Sequence, residues 1–198
     1  MQLTENLVAI SFNTSLQKYG GDMAVASMSI LNSVMQFVML LLPGLVQGAQ
    51  PLLSYNLGSG NVPRVKKTFR LLLLSCVTGS FLIWLLCMTV PGAVARIFTN
   101  DAELIQYSEW SMRIYLAMLW IYGVQVACQY SFVALDQAPK AIFLTVWRKI
   151  ILLIPLIFVL PLVWPDPTMG VYLAEPVADT IAVCTTAPMF YKYYRTLK

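Results

Sequence analysis

QGAQPLLSYNLGSGNVPRVKKTFR, Gln47 to Arg70, joins two kinds of chain. Upstream, nothing from Met23 through Pro63 carries a charge; downstream, Arg64, Lys66, Lys67 and Arg70 fall close together. Gly48, Pro51, Gly58, Gly60 and Pro63 lie between the two regimes. At ~1.5 Å per residue the uncharged stretch would make a helix of about 60 Å, twice the ~30 Å hydrocarbon core of a bilayer. It therefore reads as a spanning helix that stops or bends at Pro43-Gly44 and again at Gly48/Pro51. Residues 49–57 then form a short interfacial segment, and the cations sit among lipid headgroups.

Composition agrees. Apolar residues make up 59% of the 198 and charged residues 11%, with a mean hydropathy of +0.71. Soluble domains average about 25% charged residues, so a chain this poor in charge cannot cover a water-exposed surface. The apolar runs are continuous rather than alternating, which favours helices over a membrane barrel. Six spans are expected: 1–16, 23–47, 69–90, 104–135, 141–164 and 169–191. The first is short for a crossing, lacks a basic flank and cleavage site, and carries Glu5 and Asn6, so it reads as a truncated helix rather than a signal peptide. The fold class is all-α and polytopic.

Lys/Arg bias sets the orientation. With the 58–70 joint in the cytoplasm, that side receives Arg64, Lys66, Lys67, Arg70, Lys140, Arg148, Lys149, Lys192, Arg195 and Lys198. The other side receives Lys18 and Arg96, with Arg113 just inside. Trp110 and Trp164 fall near the outer boundary, and Trp147, Tyr191, Tyr193 and Tyr194 near the inner one. The net charge of +4 is thus topology rather than a nucleic-acid footprint. The expected location is the plasma membrane, a bacterial inner membrane, and the lipid bilayer is the first partner.

Polar residues inside spans are expensive and are functional candidates by default. Glu5, Asn6 and Asn13 share a face of the first span, Ser29, Asn32, Ser33 and Gln36 one of the second, and Tyr115, Tyr122, Gln125 and Gln129 one of the fourth. Glu175 and Asp179 stand four apart on the sixth, flanking Pro176. Glu5 and Asp179 each lie about 16 Å from the outer helix end, near the midplane. The stripes suit interhelical hydrogen bonding or a polar cavity; the carboxylates suit a buried protonated state or the binding of a proton or Na⁺. Glu109 and Arg113, four apart, read as a structural ion pair. The methionines of the second span suit packing or an adaptable surface.

Enzyme chemistry finds little support. The chain has no histidine, no GxSxG and no P-loop, which removes His-based triads, His-ligated metals and ATP hydrolysis within it. The GGD at 20–22 has tyrosine where a GxGD intramembrane protease needs its first glycine. Cys76, Cys87, Cys128 and Cys184 are scattered without a CxxC and read as reduced core residues. No cofactor is expected.

Three blocks resemble the second half of a MATE multidrug exporter: LPGLVQGAQPLLSYNLGSGNVPRVKKTFR (42–70), VALDQAPKAIFLTVWRKIILLIPLIFVLP (133–161) and GVYLAEPVADTIAV (170–183). That family builds two six-helix lobes and exchanges H⁺ or Na⁺ for organic cations. The resemblance implies that residues 1–198 are the C-terminal six-helix lobe, exporting hydrophobic organic cations by alternating access. Its partner would be an N-terminal lobe, or a second copy through self-association. Glu5 stands where some branches place a coupling acid, the only position at which Na⁺ is expected. Glu175 and Asp179 match an E-P-x-x-D pattern, while the tenth-helix carboxylate of those branches is absent. The candidate coupling set is Glu5, Asn6, Glu175 and Asp179; the candidate cavity set is Asn13, Asn32, Gln36, Tyr115, Tyr122, Gln125 and Gln129. The alternatives are a lipid-linked saccharide flippase of the same superfamily, which calls for more cavity cations than this reading finds, and a non-transporting assembly subunit.

Overall fold

A computed structural model describes residues 2–197, with side chains from residue 4 onward. Met1, the side chains of Gln2 and Leu3, and Lys198 lie outside the described residues. Among the described residues the chain is helical, without strands. In order come α1 (Gln2–Gly58), α2 (Val62–Thr89), α3 (Pro91–Arg96), α4 (Ala102–Tyr115), α5 (Leu119–Ala134), α6 (Ala138–Val146), a π-helical stretch (Trp147–Leu153), α7 (Ile154–Val163) and α8 (Pro167–Thr196). Three runs, Thr4–Gly58, Val62–Thr89 and Ala138–Val163, are long and apolar enough to cross a membrane. The α4–α5 pair, bent by 51°, makes a fourth if it is one span.

The first two expected spans are joined in α1, which breaks at Gly21 (φ 65°, ψ −160°). That backbone region suits only glycine, and the following Asp22 is held by the Gln17 side-chain amide at 2.9 Å. The expected stop near Pro43 does not occur. Both Pro43 and Pro51 lie inside a helix that continues to Gly58, so residues 49–57 are its last turns and not a separate surface segment. The helix end is tied down instead: Ser54 donates its hydroxyl to the Ala134 carbonyl (2.8 Å) at the end of α5. Tyr193 does the same for Leu135 at 3.2 Å, so two carbonyls that the helix end leaves unpaired gain donors. Asn61 then caps α2, accepting from the Arg64 N–H.

The break between α4 and α5 is handled similarly. The Trp84 indole donates to the Ala117 carbonyl at 3.0 Å, and the Ser80 hydroxyl to that of Trp120 at 3.0 Å. Both donors come from α2, so a bend at membrane depth keeps its backbone satisfied. Asp101 and Asp166 cap α4 and α8 through their side chains. The expected Glu109–Arg113 pair is not made among the described residues; Glu109 lies against Gly92 of α3 instead. Gly92 has no side chain and leaves the space that the Glu109 carboxylate occupies.

Candidate functional site

The sequence places a proline directly after an apolar run that carries two cations, WRKIILLIP (147–155). Pro155 has no N–H to offer the preceding turn, and the chain ahead of it widens into the π stretch, with the Ile154 N–H on the Lys149 carbonyl. Arg148 and Lys149 are both buried. This corrects their expected place at the cytoplasmic boundary, and that of Trp147 in the inner aromatic belt. They lie about ten residues, roughly 15 Å, inside the helix that begins at Ala138. The signal was available: cations within a span need counter-charges, and besides Glu109, already assigned to Arg113, the spans hold Glu5, Glu175 and Asp179.

Arg148 takes two of them. Its Nε donates to Asp179 Oδ1 at 2.6 Å and its Nη2 to Glu175 Oε1 at 2.7 Å. The guanidinium also lies 4.9 Å from the centre of the Tyr122 ring, and the Tyr122 hydroxyl meets Met39 Sδ at 3.6 Å. Tyr122 thus serves the chain's own cation. The next residue turns the other way, and the Lys149 ammonium pairs with Glu5 of α1. The Glu5 side chain is 52% exposed, against 9% for Glu175 and 6% for Asp179. Glu5 is therefore the carboxylate that an entering molecule can reach.

These groups border a cavity of about 770 Å³ that brings together Glu5, Asn6, Asn32, Gln36, Tyr115, Tyr130, Arg148, Lys149 and Glu175 with Met28, Met35, Met39 and Phe12. The size is that of a drug-sized ligand site, and the lining mixes apolar walls with a few convergent polar groups. With all groups ionised, three carboxylates (Asp179 included) face two cations, leaving one negative charge in excess. The other expected cavity residues go elsewhere. Gln125 is buried and donates to Gln129, which donates to the Thr145 hydroxyl, a chain linking α5 to α6. Gln129 and Tyr122 reach only a small adjoining pocket of about 40 Å³. Asn13 opens onto a separate groove with Thr14, Gln17 and Lys18. Tyr130, Thr145, Arg148 and Lys149 are additions to the sequence-based set.

Known proteins share this arrangement of helices. The chain aligns with the multidrug export protein MepA of Staphylococcus haemolyticus at 26% identity, over 98% of this chain and 41% of that protein. The MepA of Staphylococcus saprophyticus aligns at 24% identity with the same coverage. The chain thus spans about 41% of the length of these curated relatives. Among solved structures, a ligand complex of the MATE multidrug transporter DinF-BH superposes with a TM-score of 0.81 at 31% identity, over 96% of this chain and 42% of that one. An outward-facing MATE transporter of the MOP superfamily superposes at 0.90 with 14% identity, over 99% and 44%; at that identity the likeness is one of fold. Three helices of membrane-crossing length and composition agree with the DinF-BH match at 31% identity in making the chain a multi-pass membrane protein. The MatE family model matches residues 1–162, and the chain belongs to that family.

Proposed function

We propose that the chain is the C-terminal six-helix lobe of a cation-coupled exporter, moving hydrophobic organic cations by alternating access with H⁺ or Na⁺ as the exchanged ion. The observation that supports this best is the cavity of about 770 Å³ with Glu5 exposed on its wall. In this reading α1 contributes two spans, one on each side of Gly21, and the rocking partner is an N-terminal lobe. Apolar methionines and Phe12 accommodate the body of the substrate, Tyr115 and Tyr130 offer aromatic faces worth ~0.5–2 kcal/mol to a cation, and Glu5 supplies the counter-charge. The names of the relatives, multidrug export proteins, point the same way.

A second reading, a lipid-linked saccharide flippase of the same superfamily, gains from Arg148 and Lys149, since anionic headgroups need cavity cations. Both cations are already paired with carboxylates, and the excess charge is negative, so the organic cation is the better fit. The deciding experiment is ethidium uptake into inverted vesicles that contain this chain with a matching N-terminal lobe. Gradient-driven uptake that is lost in Glu5→Gln is expected. Uptake unaltered by Glu5→Gln at matched expression removes Glu5 from the mechanism, and no uptake with both lobes present removes the exporter reading.

A further inference from the structure

The two charge groups in the cavity wall differ in reach. Arg148 and its carboxylates are closed in, with side chains at most 9% exposed, whereas Glu5 is 52% exposed. An entering cation therefore meets Glu5 first, and finds the Lys149 ammonium already paired with it. That ammonium is tethered to the chain and its side chain is only 10% exposed, so it competes at a high effective concentration that a free ion has to overcome. It also has somewhere to go. Lys149 follows Arg148 directly in the chain, and its side chain lines the same cavity as Glu175. Glu175 and Asp179 share the single guanidinium of Arg148, which leaves one carboxylate charge unmatched there. Turned from Glu5 toward that pair on its flexible stem, the ammonium matches it. With a cation on Glu5 and Lys149 beside Glu175, every carboxylate of the cluster has a positive charge of its own.

We propose that Lys149 is a resident counter-ion that sets the selectivity of the Glu5 site, keeping Na⁺ out and admitting hydrophobic organic cations. The inference rests on reading the cavity as an organic-cation site, and it decides against Na⁺ as the ion at Glu5. Lys149 stays charged and changes partner, from Glu5 in the unloaded form to Glu175 and Asp179 in the loaded one. The cavity wall decides which cations can displace it. Na⁺ brings the same single charge as the ammonium, loses hydration on entry and gains nothing from an apolar surface. A hydrophobic cation brings that charge and also buries apolar area against Met28, Met35, Met39 and Phe12, a contribution that grows with the area covered. Lys149 is thus the repulsive element of the site and the methionine wall the attractive one, the two together giving a difference in affinity.

The test uses the purified chain in lipid nanodiscs with two radiolabelled probes, tetraphenylphosphonium and sodium, at constant ionic strength. The parent should bind the phosphonium saturably, bind no sodium saturably, and keep its phosphonium affinity as sodium is added. Lys149→Gln leaves Glu5 without its resident cation. Its phosphonium affinity should rise about tenfold or more, and sodium should now bind and compete. Adding Glu5→Gln should abolish both gains, while Lys149→Arg, which keeps a tethered charge, should still exclude sodium. One readout needs no variant: sodium that competes with the phosphonium in the parent overturns the proposal. Phosphonium affinity unchanged or weaker in Lys149→Gln, gains that survive Glu5→Gln, or sodium binding to Lys149→Arg overturn it as well, and all of these leave the cavity reading intact. Absence of any phosphonium binding overturns both.

Discussion

Arg148 joins two carboxylates that are four positions apart on α8, and all three side chains are buried. A cluster of this kind is expensive to break because removing one partner strands charge where water cannot reach it. Arg148→Met is expected to destabilise the folded chain by about 3–5 kcal/mol. The triple variant Arg148→Met, Glu175→Gln, Asp179→Asn should recover most of that, since neutral amides need no counter-ion. Reversible unfolding in mixed micelles checks both. A single variant as stable as the parent would show that the cluster holds nothing together. Part of this site is legible in the sequence. Glu175 and Asp179 stand out because spacing by four puts two acids on one helix face, and Glu5 because a carboxylate is conspicuous in an apolar run. Arg148 and Lys149 are misplaced by sequence reasoning because loop-end bias treats every cation near a span boundary as topological and passes over the counter-charges that the in-span carboxylates offer; the three-dimensional pairing shows that this pair lies inward.

The helices are read well as apolar runs and poorly at their ends and bends. Pro43 and Pro51 suggest a stop, yet α1 absorbs both, because a proline removes only one backbone donor and the helix on either side remains packed through Leu42, Val46 and Leu53. The bend after Tyr115 gives no sequence signal, since no proline or glycine marks Leu116–Met118; it depends on donors that Trp84 and Ser80 bring from α2. The same contact explains Gly123. A Cβ there would lie 2.5 Å from both the Cys76 carbonyl oxygen and the Ser80 hydroxyl oxygen, so α2 and α5 touch through backbone. Gly123→Ala is expected to cost about 1–3 kcal/mol by overpacking. Gly44→Ala, whose new methyl meets nothing within 4 Å, should be neutral or stabilising by ~0.5–1 kcal/mol. Thermal unfolding of the pair provides the comparison, and equal effects would mean that α2 and α5 are not in close contact in the membrane.

Placed in a bilayer, the bundle must decide which end faces the cytoplasm, and the corrected positions sharpen that choice. With Arg148 and Lys149 withdrawn to the interior, the bias among the described residues still stands at seven cations near the Gly60 end against Lys18 and Arg96 at the other. The Gly60 end also binds its own cations to aromatic groups. Lys66 donates to the Leu197 carbonyl at 3.0 Å and lies over Tyr194, and Lys140 lies over Tyr193 at 4.8 Å, an arrangement suited to an anionic headgroup layer. The acidic caps Asp101 and Asp166 mark the opposite end. A labelling experiment follows. Gly60 itself is a poor probe position, since its φ of 71° would strain a cysteine, so the exposed Ser59 takes its place beside the exposed Asn100. Cys184 is exposed and is replaced by serine in the background, while Cys76, Cys87 and Cys128 are buried and stay silent. A membrane-impermeant maleimide added to intact cells should label Asn100→Cys and spare Ser59→Cys, and inverted vesicles should reverse the pattern. An odd number of crossings between residues 59 and 100 requires opposite faces, and α2 is the one helix between them long enough to cross. Labelling of both positions from one side would take α2 out of the membrane and, with it, the six-span arrangement of the chain.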